Sequence, residues 1–265
     1  GRTPYMQPNE TDAVRLFRNV VGWRPQKPDT DSVGDAFVRS VQEESDRMMA
    51  SVLGIVAAPA LAQHDRTAER AEAVLTFLGE TDLPEALSAL PIFYGLNADI
   101  DRRIENAFHR PLAIGDRRAT PAAVDALDRW LHQSEVGHVA PLPDALRDRA
   151  LQALERGRTG GLTSLVYIAR RLIETGRCGT PELDRIAEVL DELRESTDYG
   201  QPDGDADIES DRAVSLPLVR AGCVRLARAL ERIGMAPEPV CAWRDLAAHD
   251  PLPEVRNAAR EAMDE

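Results

Sequence analysis

The sequence predicts an all-α protein of roughly twelve helices in antiparallel pairs, because apolar residues recur three and four apart in one segment after another. Two further observations support that class. Short polar stretches with Gly and Pro separate the segments, as connections between neighbouring helices do, and no stretch alternates with period two for long enough to be a strand.

In chain order, Asn9 or Thr11 starts a first helix with Val14, Leu16, Phe17, Val20 and Val21, stopped by Gly22 and Pro25, with Trp23 packing at its end. Residues 24–32 are turn-forming and polar. A long helix begins at Val33 and carries Phe37, Val38, Val41, Met48, Val52 and Val56; its second half is apolar nearly all round, which predicts a central place. The stretch 48–62 ends in Ala60, Leu61 and Ala62, like a signal-peptidase site. Its lead-in, however, is acidic (Glu43, Glu44, Asp46), and the run is shorter than the ~18 residues of a membrane span, so it reads as a core helix ended near Pro59.

A helix from about residue 66 to 78 buries Ala71, Val74, Leu75 and Leu78 and stops at Gly79. Leu83, Pro84 and Glu85 start another, bent at Pro91, and 98–108 is a short helix with Ile100, Ile104 and Phe108 before a loop over 109–119. Thr120 and Pro121 open a helix with Val124, Leu127 and Leu131. The next three carry Leu146, Ala150, Ala153 and Leu154; then Leu162, Leu165, Val166, Ala169, Leu172 and Ile173; then Leu183, Ile186, Ala187, Leu190 and Leu193. Beyond a stretch with seven carboxylates at 195–211, read as an exposed acidic loop, come Leu216, Val219, Cys223, Leu226, Leu230 and Ile233, and then Val240, Trp243 and Leu246.

The last segment, 250–265, has a full helix start. Asp250 offers a capping carboxylate, Pro251 and Pro253 suit a first turn, and Glu254 sits at the positive end of the dipole. Val255, Ala258, Ala259, Ala262 and Met263 then share one narrow face. The run Asp250, Pro251, Val255, Arg256, Ala258, Ala259 resembles the second helix of a HEAT repeat. That resemblance implies helix pairs stacked in an α-α superhelix of the HEAT or armadillo kind, with Asp250, Pro251, Val255, Arg256 and Ala259 as structural residues and Arg256 bonding to a neighbouring repeat. It covers about 213–265. Leu-Pro-acid triplets at 83, 142 and 252 and Thr-Pro pairs at 120 and 180 are unevenly spaced and do not extend a repeat to the whole chain. The first half reads either as further stacked pairs or as an irregular helical bundle. The expected organisation is an arm, first helix and linker (1–32), stacked helix pairs (33–196), an acidic loop (197–212) and HEAT-like helices (213–265).

Composition limits the function. Against 32 basic residues stand 45 acidic ones, a net charge of −13, so the average field repels nucleic acid and anionic membranes. Lys27 is the one lysine, which points to a bacterial or archaeal GC-rich genome ahead of salt adaptation. Cys178, Cys223 and Cys241 form no paired motif, so neither a disulfide scaffold nor a zinc site is expected and a cytoplasmic location is. The chain begins at Gly1 rather than Met, as a piece of a larger protein would.

No constellation reads as catalytic. Residues 203–211 alternate carboxylates like a calcium loop, but Ile208 stands where glycine is needed and Val214 where the bidentate Glu belongs. His132, Glu135 and His138 lack the spacing of a helical two-histidine metal motif. Some HEAT-repeat enzymes bind iron through His-Glu dipeptides, and none exists here. His64, His109 and His249 suit helix ends, and 157–161 lacks the Gly-Lys-Ser/Thr ending of a phosphate loop. Arg220, Arg225, Arg228, Arg232, Arg244, Arg256 and Arg260 make the C-terminal third locally basic; among them Arg225, Arg228 and Arg232 are the candidate partner-binding residues.

The reading is a non-enzymatic scaffold, or accessory domain of a larger assembly, that binds another protein on its helical surface, with no cofactor, metal, nucleic acid or membrane. An enzyme with a non-local site around His132, Glu135 and His138 is one alternative. Nucleic-acid binding on the arginine-rich face, as in HEAT-like DNA glycosylases, is the other.

Overall fold

The computed structural model describes residues 10–25, 33–114, 119–155, 162–196, 217–235, 238–250 and 252–261. Among them every regular element is helical, as the periodicity predicts. In chain order they are α1 (Glu10–Val21), α2 (Val33–Val52), a π-helical turn (Leu53–Ala57), α3 (Ala58–Ala62), α4 (Ala68–Thr81), 3-10 turns Pro84–Ala89 and Pro91–Phe93, α5 (Ala98–Ile114), α6 (Ala119–Glu135), α7 (Asp144–Glu155), α8 (Leu162–Glu174), α9 (Thr180–Ser196), α10 (Pro217–Arg232), α11 (Glu238–Ala248) and α12 (Pro253–Glu261). The sequence readings at 26–32, 157–161, 197–216, Pro251, Ala262 and Met263 lie outside the described residues, as do the side chains of Phe37, Val38, Val240, Arg244 and Leu246.

The chain divides into two compact units, one of Gly1–Pro111 with Arg129–Pro143, the other of Leu112–Asp128 with Asp144–Glu265. In the first, α1 packs on α2, the π turn, α3 and α4, and the 3-10 turn Pro84–Ala89 packs on α2, the π turn and α4. Phe17, Leu53, Leu61, Phe77, Leu87, Leu90 and Phe93 are fully buried, each worth about 1.5–3 kcal/mol of transfer free energy. A second cluster forms where Tyr94 meets Trp130 edge to face at 5.2 Å and Phe108 tilts against Trp130 at 5.9 Å. The buried Trp130 donates its indole N–H to the Ala140 carbonyl at 2.9 Å, and Tyr94 donates to Glu105 at 2.6 Å.

In the second unit the packing has an order. α7 packs on α9 and α9 on α11; α8 packs on α10 and α10 on α12; and the two rows meet at α7–α8, α9–α10 and α11–α12. Three helix pairs therefore succeed one another in two layers. The buried faces are those the spacing predicts: Leu146 and Leu154, Leu165 through Ile173, Ile186 and Leu190, Val219 through Leu230, and Val255 with Ala258 and Ala259. Trp243 is fully buried and donates to the Leu190 carbonyl at 2.7 Å, tying α11 to α9. Ile233, expected in the core, is exposed, because α10 has ended at Arg232 and Gly234 turns the chain at φ +84°.

Elsewhere the structure departs from the sequence reading at prolines and caps. The core helix does not end near Pro59: it runs on as α3, with Pro59 in that helix's first turn and the π turn just ahead of it. The Ala58 amide bonds to the Leu53 carbonyl five residues back, and this wider turn takes up a ring that would otherwise strike the preceding turn. Helix α4 passes Gly79 and ends at Asp82, a non-glycine residue at φ +53°. The segment after it, Pro84–Ala89, is 3-10 rather than α. α5 continues through Pro111 to Ile114 instead of stopping at Phe108, so the expected loop at 109–114 is helix; the side chain of Leu112, one residue past the proline, is buried. Its start is capped by Asn97, whose Oδ1 accepts from the amides of Asp99 at 3.1 Å and Ile100 at 3.0 Å.

The close approach between the π turn and the 3-10 turn rests on Gly54. A Cβ there would lie 1.8 Å from Ser88 Oγ and 2.9 Å from its carbonyl carbon. Gly54→Ala gains helix propensity yet must displace backbone, so a net loss of about 1–3 kcal/mol is expected, read as a lower midpoint in thermal or urea unfolding.

Candidate interaction surfaces

The C-terminal arginines do not act as one face. Arg225, Arg228 and Arg232 stand three and four apart on α10 and so share a side of it. Arg228 is spoken for along its own helix: its Nη1 lies 2.9 Å from Glu231 Oε2, in a largely covered pair. Arg225 is half-buried, and Arg232 is exposed in the last turn, where the helix dipole favours a cation. Arg220 is buried and turns inward. Its Nη1 lies 3.5 Å from Oδ2 of Asp250, whose side chain is fully covered.

Asp250 is the centre of that cluster. Its Oδ1 accepts from the Leu252 amide at 2.8 Å, so the carboxylate secures the turn that leads into α12. Its carbonyl accepts from Arg256 Nη1 at 2.7 Å. Arg256 thus reaches back over the start of α12, while Arg220 brings in α10 from the preceding pair. Val255 and Ala259 are buried beside them.

The other surface is on α2. Val41, Met48, Ile55 and Val56 are 54%, 59%, 51% and 47% exposed, among the largest exposed apolar side chains in the protein. The opposite side of the same helical run, through Asp46, Ala50, Leu53, Ala57 and Leu61, is buried. An apolar side chain on each face explains why this stretch reads as all-round apolar, and only one face is covered. The stretch read from the sequence as shorter than a membrane span is longer in the structure, because the helix runs on from α2 through the π turn into α3: among the described residues Ser40–Ala62 is the one helical stretch long and apolar enough to cross a membrane. Periodicity could not mark Val41, Met48 and Ile55 as exposed, because apolar spacing alone does not say which of two faces finds a neighbour.

The remaining candidates stay apart. Among the described residues no three His, Cys, Asp or Glu side chains are placed to hold a metal, His132, Glu135 and His138 included. His249 lies at the end of α11, its Nδ1 3.2 Å from the Asp245 carbonyl, and His109 falls inside α5 rather than at its end. Burial pushes the Cys178 thiol up to about 11, against the opposing pull of Arg147, and the fully buried Cys223 thiol up to about 12. Neither is a thiolate at neutral pH.

No protein-family model matches the chain, and no curated protein or solved structure matches it either. The all-helical described residues are compatible with a helical solenoid.

Two outcomes are expected. Asp250→Ala removes the carboxylate that faces the buried Arg220 guanidinium and the turn bond to Leu252, so stability should fall by about 1.5–3 kcal/mol, measured by denaturant unfolding. In alkylation at pH 8 followed by mass spectrometry, Cys223 should react far more slowly than the half-buried Cys241.

Proposed function

We propose that the chain is a HEAT-like helical scaffold that binds another protein and contributes no chemistry of its own. The carrying observation is the apolar surface of Val41, Met48, Ile55 and Val56 on a helix whose other face is already packed. Exposed apolar side chains that recur along the outer side of one packed helical run suit an interaction site better than isolated ones do. The HEAT likeness is supported by the two-layer order of α7 through α12 and by the Asp250–Arg256 pairing at the start of α12. In HEAT arrays such layers wind into a superhelix, which is the arrangement proposed for the second unit.

Nucleic acid is the weaker partner class. Arg220 is buried against Asp250, Arg228 pairs with Glu231, and the chain carries −13 overall. The free thiols of Cys178, Cys223 and Cys241 suit a reducing, cytoplasmic setting.

Capture from a lysate of the source cells, with the whole chain as bait, tests this reading. A single stoichiometric protein should be recovered and lost from Met48→Asp/Ile55→Asp bait, while Arg228→Glu/Arg232→Glu bait reports whether the α10 face takes part. Equal recovery on wild-type and both variant baits, or a turnover that the purified protein catalyses, would overturn it.

A further inference from the structure

We draw no further inference here: the strongest candidate, the apolar outer face of α2 and the π turn at Val41, Met48, Ile55 and Val56, belongs to the surface already described, and nothing in the structure shows what covers it.

Discussion

Helix α10 is the constraint on which the C-terminal unit is built, since it packs on α8, α9, α11 and α12 together. A helix with so many neighbours needs small side chains where they approach, and α10 carries Ala221, Gly222, Cys223, Ala227 and Ala229. Gly222 has a measurable reason: a Cβ there would stand 3.1 Å from Val166 Cγ1 of α8. The Arg220–Asp250 pair then fixes α10 against the turn before α12. A charge pair out of water gives little net stability but strongly disfavours any arrangement that separates its members, so it specifies the packing more than it strengthens it.

Helix α2 inverts that situation. With the turns that continue it, α2 places Asp46, Ala50, Leu53, Ala57 and Leu61 inside its own unit and leaves Val41, Met48 and Ile55 outside. The inner contact is tight because Gly54 lets Ser88 come close, so the outer residues stand on a fixed support. A helix whose inner face is already fixed has less conformational entropy left to lose in any contact made by its outer face.

Much of the fold is legible in the sequence because helical spacing and helix-start chemistry are local. The buried faces of α7 to α10 can be read directly from Leu146, Leu165, Leu190 and Leu226, and the helix that holds Trp243 is evident from its spacing with Val240 and Leu246. The failures have physical causes. Pro59 and Pro111 have the chemistry of stops, but a proline ends a helix only when the surrounding packing does not outweigh its ~3 kcal/mol penalty. Asp82 rather than Gly79 ends α4, since an Asp can adopt the left-handed conformation too. As for the surfaces, arginine spacing on α10 gives no hint that Arg220 faces inward, because that depends on Asp250 thirty residues away. Exposure on α2 is hidden for the same reason: it is a property of neighbours.

The two compact units each bury one tryptophan whose indole N–H is bound to a main-chain carbonyl, Trp130 to Ala140 and Trp243 to Leu190. Trp23 lies outside both arrangements, just past α1. The three chromophores thus give the chain built-in optical reporters of separate regions: with Trp23 and one other replaced by phenylalanine, the emission of the remaining indole tracks loosening of its own unit. Whether the halves melt as one body or in sequence becomes a spectroscopic question that needs no attached dye.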